Sequence, residues 1–352
     1  MNLERLKRRL QGTFIHGIYA FLKYDLSIAL GYQIYHNAKR GQLRKVIRLL
    51  NFTLKSLIVE LPKSVAVDIV SCCNLRCPLC SVPPYITKRD NNFMSFEDFK
   101  RIVDHLEVTS NVSLVYAGEP FLHPDFLAMA KYASRRFYTA TITNGTLLSS
   151  KTIEGLLDSG LDFLQVSFDG FSKASFEKYR VGANFENVKK GILKLIDRKR
   201  ETCQGLPHVT ITFLVHAYNE DEVEKCKEYF LRKGANRFFA KAINLNTHRR
   251  LDGKGAEELV HWLPKRSDIT LYEDDTERIA FKMRQEPCKI CQTPIIRCDG
   301  EILLCCHDIF NTVKIGNVFE DDFTDIWFSE RYKKIRQRAK SRDLAVCKKC
   351  GK

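Results

Sequence analysis

The cysteine residues restrict most strongly what this chain can be. Eleven of its 13 cysteines fall in two clusters, four at positions 72–80 and seven at 288–350. Disulfide frameworks are typical of short secreted chains, whereas tight clusters in a chain of 352 residues are typical of metal sites. The N-terminus is basic, but His16, Lys23 and Asp25 interrupt its apolar stretch, unlike a secretory signal. We therefore expect a cytoplasmic protein whose cysteines are metal ligands.

Composition and charge exclude further classes of protein. With 44% hydrophobic residues the chain can bury a core, which excludes wholesale disorder. It contains no run of about 18 uncharged apolar residues, so no membrane-spanning helix is predicted. The net charge of +15 lies at the ends, since residues 1–62 carry 11 basic and 3 acidic side chains and residues 329–352 carry 10 and 2. A neutral body between two basic ends makes nucleic acid an unlikely partner.

Short β-branched segments alternate with amphipathic segments in the first two thirds of the chain. Strands are predicted at Val65–Val70, Val112–Tyr116, Thr139–Thr143, Phe163–Phe168, Val209–Val215 and Phe238–Ile243. Helices are predicted at Phe96–Leu106, Asp125–Ser134, Ser150–Asp158, Phe185–Lys199 and Asp221–Arg232. This alternation indicates an α/β fold with a parallel sheet and right-handed crossovers. Functional residues are then expected at the carboxyl ends of the strands.

Four loops that follow predicted strands carry cysteine or polar residues. They are the first cysteine cluster, Ala117-Gly118-Glu119-Pro120, Thr143-Asn144-Gly145 and Ser167-Phe168-Asp169-Gly170. Because the strands are expected to be parallel, these loops should meet at one mouth of the sheet. Asn-Gly and Asp-Gly pairs are also ordinary turn sequences, which is the alternative interpretation of two of these loops.

The first cysteine cluster has the spacing C-x3-C-x2-C, formed by Cys73, Cys77 and Cys80. Three thiolates on one loop can bind three irons of a four-iron cubane and leave the fourth iron open to another ligand. A zinc site would need a fourth ligand at a suitable spacing, which this loop does not offer. Cys72 is adjacent to Cys73 and is interpreted as a bystander.

This loop and the motifs that follow it resemble the radical S-adenosylmethionine (radical SAM) superfamily over residues 65–243. The resemblance implies a partial (β/α)6 barrel that binds a [4Fe–4S] cluster and S-adenosylmethionine (SAM). It further implies reductive cleavage of SAM to a 5′-deoxyadenosyl radical, which abstracts hydrogen from a substrate. A reducing protein such as flavodoxin or ferredoxin is the implied electron donor.

The resemblance also places seven residues around SAM, which are Gly118, Glu119, Asn144, Ser167, Asp169, Arg180 and Val215. Gly118 and Glu119 match the motif that contacts the amino group of SAM, although the family's preceding glycine is Ala117 here. Arg180 matches an arginine that relatives use for the SAM carboxylate, and Val215 is expected to flank the adenine. Arg180 taken alone would be interpreted as a solvated helix residue.

The second cysteine cluster consists of Cys288, Cys291, Cys298, Cys305, Cys306, Cys347 and Cys350. Asp299-Gly300 predicts the turn of a β-hairpin that brings an early cysteine close to Cys305. With Gly316-Asn-Val, Ile326-Trp327 and the closing C-x2-C pair, the segment resembles the auxiliary-cluster module called SPASM, or twitch in its reduced form.

The ligands that this resemblance implies for one auxiliary [4Fe–4S] cluster are Cys288, Cys305, Cys347 and Cys350, with Cys291 as the alternative to Cys288. The end of the chain at Lys352 favours one such cluster, while a second that uses the remaining cysteines stays open. A structural zinc ribbon is the other interpretation of two C-x2-C pairs. His307 and Asp308, which follow Cys306, either act near the substrate or lie in a surface loop, which is the favoured interpretation. Arg331–Lys340 is expected to be a solvated basic helix.

We divide the chain into a basic amphipathic helical extension (1–62), the radical SAM core (63–245), a linker or helical segment (246–287) and the auxiliary domain (288–352). The extension is either a helical cap on the barrel or a peripheral contact with the inner face of a membrane. A small molecule, sugar or lipid-linked precursor is the favoured substrate. Peptide or protein modification and a non-catalytic electron carrier are the alternatives, and no catalytic acid or base is assigned.

Overall fold

The computed structural model describes most of the chain but not all of it. The described residues are 34–35, 37–39, 41–56, 58–80, 93–243, 259–266, 272–273, 280–281, 287–288, 290–348 and 350. The first half of the predicted N-terminal extension and most of the predicted linker at 246–287 therefore lie outside the described residues. The predicted domain boundaries stay predictions.

The described residues form an α/β fold in which strands and helices alternate along the core. The strands are β1 (Val65–Val67), β2 (Asn111–Ser113), β3 (Tyr138–Thr143), β4 (Phe163–Ser167), β5 (His208–Val215), β6 (Arg237–Ala242), β7 (Tyr272–Glu273), β8 (Ala280–Phe281), β9 (Ile295–Ile296) and β10 (Ile302–Leu303). The helices are α1 (Leu43–Ser56), α2 (Phe96–His105), α3 (Phe126–Ser134), α4 (Ser150–Asp158), α5 (Lys173–Tyr179), α6 (Phe185–Glu201), α7 (Val223–Lys233), α8 (Phe323–Phe328), α9 (Glu330–Lys340) and α10 (Ala345–Lys348). Single 3₁₀ turns lie at Pro120–Leu122, Glu220–Glu222, Val260–Trp262 and Ile290–Gln292.

All six predicted core strands and all five predicted core helices are present. Their ends differ from the predicted ends by no more than a few residues, as is usual for boundaries. Helix α5 was not predicted, because its seven residues are too few to show a helical period. Ser172 caps it by accepting a hydrogen bond from the backbone N–H of Ser175.

The main sheet has eight strands in the order β10-β9-β1-β2-β3-β4-β5-β6. Strands β1 to β6 pair in parallel with their sequence neighbours, so their carboxyl ends share one edge. In the described residues β1 and β6 do not pair with each other, which agrees with a partial, open barrel. The fold class is therefore confirmed.

The predicted cysteine-rich hairpin is also present, as the antiparallel pair β9 and β10. Gly300 forms its turn with a φ of +80°, a conformation that favours glycine. Strand β9 pairs in parallel with β1, so the hairpin extends the core sheet. This pairing, which was not predicted, places the second cysteine cluster beside the loop that carries the first.

Helix α1 is fixed to the end of the barrel opposite the polar loops. The Lys45 ammonium forms a buried ion pair with Asp162, at the amino end of β4. The Arg48 guanidinium donates to the carbonyls of Leu106 and Thr109 and stacks on the ring of Phe137. The described part of the N-terminal extension therefore packs on the barrel as a cap.

Candidate active site

The first cysteine cluster lies in the loop after β1, with the side chains of Cys73, Cys77 and Cys80 all half-buried. Two nitrogen donors from other loops point at these sulfurs. The Asn144 amide lies 3.8 Å from Cys73 Sγ, and Arg180 Nη1 lies 3.6 Å from Cys77 Sγ. Iron–sulfur clusters use N–H donors to their thiolates, so these residues suit a cluster.

Gly118 allows two loops to approach each other. A Cβ atom at this position would lie 2.3 Å from the carbonyl oxygen of Val70 and 2.5 Å from that of Cys72. The neighbouring Glu119 N–H donates to the Cys72 carbonyl at 2.9 Å. The absence of a side chain at Gly118 thus permits contact with the backbone of the cysteine loop.

The carboxyl group of Glu119 is buried at the mouth of the barrel, with 1% of the residue exposed. Its Oε1 accepts hydrogen bonds from the Thr143 hydroxyl and the Phe121 N–H, and its Oε2 accepts one from the Asn144 N–H at 2.7 Å. Burial raises the pKa of this carboxyl to about 7, although the hydrogen bonds act to lower it. The group is therefore held in place, but its charge is poorly stabilised.

The Asn144 side chain joins the loop after β3 to the cysteine loop. Its Nδ2 donates to Asn74 Oδ1 at 2.9 Å, and its Oδ1 accepts from the Thr146 N–H and hydroxyl. The Asn74 amide also donates to the Thr146 hydroxyl at 2.9 Å. Asn144 thus forms part of a turn, as the alternative interpretation expected, and also contacts the cluster loop.

Asp169 and Arg180 form an ion pair beneath the cysteine loop. Arg180 Nε lies 2.5 Å from Asp169 Oδ2, and the Leu214 N–H donates to Asp169 Oδ1 at 2.6 Å. Burial is the largest single effect and acts to lower the pKa of Arg180, but the charges of Asp169 and Cys77 and the hydrogen bond to Asp169 together raise it. The arginine side chain is only 16% exposed, so it is not a solvated helix residue.

Ser167 and Val215 differ in how well they suit contact with a ligand. Ser167 ends β4 opposite Thr212 and is half-buried. Val215 ends β5, but its side chain is fully buried within the main hydrophobic core. Of the seven residues placed around SAM by resemblance, Val215 fits least well, because its side chain already has apolar neighbours.

Two residues at the carboxyl end of β5 were missed by the sequence analysis. The Asn219 amide donates to the carbonyls of Asp169 and Leu214, and its Oδ1 accepts from the His216 N–H. His216 is fully buried, which lowers its pKa to about 4 and keeps the ring neutral. Their position just after a strand is the signal that could have identified them.

The second cysteine cluster contains two close groups of thiols. The Cys291 Sγ lies 3.4 Å from the Cys288 carbonyl, and a hydrogen bond from the Cys291 thiol lowers the pKa of Cys288. Cys305 lies near Cys306 and Cys350, whose charges add to the effect of burial in raising its pKa. The first group lies at the start of the predicted auxiliary domain, and the second joins its middle to its end.

Tyr332, on α9, provides a test of whether an iron–sulfur cluster suits this region. Its hydroxyl is buried and has no hydrogen-bond partner among the described residues. The same helix lies behind the first cysteines, since the Arg336 carbonyl is 4.0 Å from Cys291 Sγ. A buried hydroxyl without a partner beside thiols suits a group with acceptor sulfurs.

Two charged residues of the auxiliary domain are not solvated as expected, although the other basic residues of the basic helix are exposed or partly exposed. Asp308 is not in a solvated loop, because it is buried and accepts hydrogen bonds from the N–H groups of Thr312 and Val313. Arg336 is not solvated either, because its guanidinium is buried 3.8 Å from the centre of the Trp327 ring. Both side chains stabilise turns or helix packing, and sequence periodicity carries no signal for such contacts.

Among the residues that the structure describes, no three His, Cys, Asp or Glu side chains converge on a single-ion site. A cubane does not require such convergence, since each cysteine binds a different iron. All 13 cysteines fall within the described ranges and are free thiols. The cysteine loop, its N–H donors and the buried Glu119 therefore fit a cluster with an open iron.

Two family models match the chain. The radical SAM superfamily matches residues 67–230, and an iron–sulfur cluster-binding domain, SPASM, matches residues 288–351. The chain is a radical SAM protein with a C-terminal SPASM domain. Its core accordingly binds a [4Fe–4S] cluster and SAM. Its SPASM domain binds auxiliary iron–sulfur clusters, which replaces the interpretation as a zinc ribbon.

Relatives with curated names agree with this family. A tungsten-containing aldehyde ferredoxin oxidoreductase cofactor-modifying protein of Pyrococcus furiosus is 25% identical over 325 residues, which are 82% of this chain and 87% of the relative. A PqqA peptide cyclase of Granulibacter bethesdensis is 27% identical over 51% of this chain and 46% of the relative. A probable GTP 3′,8-cyclase of Methanococcus maripaludis is 27% identical over 49% and 57%. The chain thus spans only about half the length of the two cyclases.

Solved structures share the fold. Streptococcus suis SuiB bound to the precursor peptide SuiA aligns with a TM-score of 0.58 at 17% identity, over 87% of this chain and 75% of that one. BtrN in complex with AdoMet and 2-DOIA aligns with a TM-score of 0.51 at 16% identity, over 84% of this chain and 95% of that one.

Among the helices of the described residues, none combines the length and the hydrophobicity that a membrane-spanning segment needs.

Proposed function

We propose that this radical SAM enzyme abstracts hydrogen from a small molecule, a sugar or a lipid-linked precursor. Of the relatives described above, the one that matches over most of both chains is named for the modification of a cofactor. The peptide cyclase matches over about half of each chain. This difference in coverage is the observation that favours a substrate other than a peptide.

The proposed ligands of the SAM-binding cluster are Cys73, Cys77 and Cys80, which the structure places on one loop with N–H donors at two sulfurs. Glu119 is proposed to accept the amino group of SAM, because its carboxylate is fixed by three hydrogen bonds close to that loop. Gly118 sets the position of Glu119 by letting its loop contact the cysteine loop.

Four more side chains complete the proposed SAM site: Asn144, Ser167, Asp169 and Arg180. Bound together, the cluster and SAM supply the one-electron cleavage that generates the 5′-deoxyadenosyl radical. The charge of the buried Arg180 guanidinium is compensated by Asp169, and its Nη1 is directed at Cys77. Arg180 is therefore proposed to bind the carboxylate of SAM, since it carries no uncompensated buried charge before SAM binds. Val215 is proposed to limit the adenine pocket from within the core.

For the auxiliary [4Fe–4S] cluster we propose Cys288, Cys305, Cys347 and Cys350. Cys288 is favoured over Cys291 as the first ligand, because Cys288 is half-buried whereas Cys291 is fully buried within the hydrophobic core. Four cysteine ligands leave no open iron, which suits electron transfer or a structural role.

Modification of a peptide is the second candidate. The SuiB structure, which contains a precursor peptide, shares the fold over most of this chain. Deuterium transfer separates the two candidates: anaerobic enzyme, dithionite and SAM are incubated with a deuterated sugar, lipid-linked sugar or peptide. We expect deuterium in 5′-deoxyadenosine from one of the first two, and enrichment from the peptide alone would support the second candidate.

Two partners are proposed besides the substrate. A small reducing protein such as flavodoxin or ferredoxin is expected to supply the electron, because the cluster must be reduced before SAM is cleaved. Residues 1–62 are proposed to make peripheral contact with the inner face of a membrane, which would bring the enzyme close to a lipid-linked precursor.

A further inference from the structure

Helix α1 has two apolar faces, and among the described residues only one of them packs on the barrel. Val46 and Leu49 are buried beneath the helix, beside the ion pair of Lys45. The opposite face carries four large apolar side chains at helical spacing, with exposed fractions of 64% at Leu43, 48% at Ile47, 43% at Leu50 and 62% at Leu54. We call these four residues the α1 stripe.

The charges that border the α1 stripe have one sign. The helix contains Arg44, Lys45, Arg48 and Lys55 and no acidic residue. Lys45 and Arg48 are occupied by contacts with the barrel, whereas Arg44 and Lys55 are exposed and lie along one flank of the stripe. An apolar stripe bordered by cations matches a helix that lies flat in the headgroup region of an anionic bilayer.

We propose that the α1 stripe is a docking surface for an anionic lipid bilayer. The inference rests on the proposed membrane contact of residues 1–62 and names the face and the lipid chemistry that make it. The four side chains enter the headgroup boundary while Arg44 and Lys55 contact lipid phosphates. Helix α1 sits at the end of the barrel opposite the proposed active site, so docking leaves the mouth of the barrel open.

Vesicle flotation of the full, cluster-loaded chain tests this inference. Vesicles of phosphatidylcholine alone are compared with vesicles that also contain phosphatidylglycerol. We expect flotation with the anionic vesicles and much less with the neutral ones. The double variant Ile47→Asp/Leu54→Asp should partition at least about a hundredfold less, because each side chain contributes more than a tenfold factor when buried.

A matched control is offered by Leu231, an exposed leucine on α7. The Leu231→Asp variant should float like the wild type. Leu231→Asp and Ile47→Asp/Leu54→Asp should both keep the iron content and melting temperature of the wild type. In the double variant Arg44→Gln/Lys55→Gln, the preference for anionic vesicles should fall, since these cations are proposed to contact phosphates.

Several results would overturn the inference. If the wild type does not float, another occupant covers the stripe; light scattering that shows a dimer lost in Ile47→Asp/Leu54→Asp would identify it as a second copy. If the wild type and Ile47→Asp/Leu54→Asp float equally, the stripe is not the docking surface. The variant Phe14→Asp/Phe21→Asp then tests the broader proposal. If this variant no longer floats, residues of 1–62 outside the α1 stripe make the membrane contact.

Discussion

Replacement of Glu119 by glutamine tests the electrostatics of the proposed SAM site. Burial raises the pKa of this carboxyl from 4.5 to about 7. A carboxyl with a raised pKa stabilises the folded state least when it is ionised, so stability is lost as the pH rises from 4.5 through 7. The raised pKa lowers the free energy of unfolding by about 3 kcal/mol at pH 8.5 and by about 1 kcal/mol at pH 5.5.

The wild type should therefore lose about 2 kcal/mol more than Glu119→Gln between pH 5.5 and pH 8.5. In Glu119→Gln the side-chain NH2 faces groups that also donate, from among the hydroxyl of Thr143 and the N–H groups of Asn144 and Phe121. This lowers the free energy of unfolding of the variant by about 1–3 kcal/mol at either pH, so the loss cancels when the change with pH is compared. Urea unfolding of the reduced, iron-free chain at both pH values measures this difference. The exposed Glu154 supplies the control, because Glu154→Gln should follow the wild type.

Binding of SAM should depend on the same titration. If the Glu119 carboxylate accepts the ammonium of SAM as proposed, the SAM affinity of the wild type should fall about tenfold for each pH unit below 7, whereas Glu119→Gln should bind weakly throughout. If the unfolding free energies of wild type and Glu119→Gln change equally with pH, the raised pKa is wrong and this interpretation of the site fails with it.

Three further substitutions test separate parts of the structure. Gly118→Ala should lower iron incorporation and the melting temperature, because the new Cβ meets backbone carbonyls, whereas Gly155→Ala meets only a leucine side chain and should be tolerated. Lys45→Met should cost about 3–5 kcal/mol in urea unfolding by leaving Asp162 buried and unpaired, and adding Asp162→Asn should recover most of the loss. Tyr332→Phe should lower the auxiliary cluster's reduction potential in an EPR-monitored titration, since it removes a buried hydroxyl donor beside the thiols; an unchanged potential would contradict a hydrogen bond to the cluster.

The sequence predicts the core well because its signals are local. Alternation of β-branched and amphipathic segments identifies every core strand, and the parallel order follows from the crossovers. The parallel order also places the polar loops at one edge of the sheet. The loops that contain Glu119 and Asn144 contact the cysteine loop directly, and the loop that contains Asp169 does so through Arg180. These contacts depend on topology, which the periodicity determines.

The remaining features depend on contacts between distant residues. The partner of Arg180 could not be read from the sequence, and neither could the hydrogen bonds that Asn219 makes to the loop of Asp169. The pairing of β9 with β1 joins segments more than 200 residues apart. Asp308 and Arg336 were misplaced for the same reason, since charged residues are usually exposed unless a specific partner is present.

The proposed cluster site is tested most directly by the triple variant Cys73→Ala/Cys77→Ala/Cys80→Ala, reconstituted anaerobically and given dithionite and SAM. We expect it to bind about four fewer irons per chain than the wild type, to keep the iron of the auxiliary cluster and to form no 5′-deoxyadenosine. If the variant keeps its full iron content and still cleaves SAM, these three cysteines are not the ligands of the SAM-binding cluster.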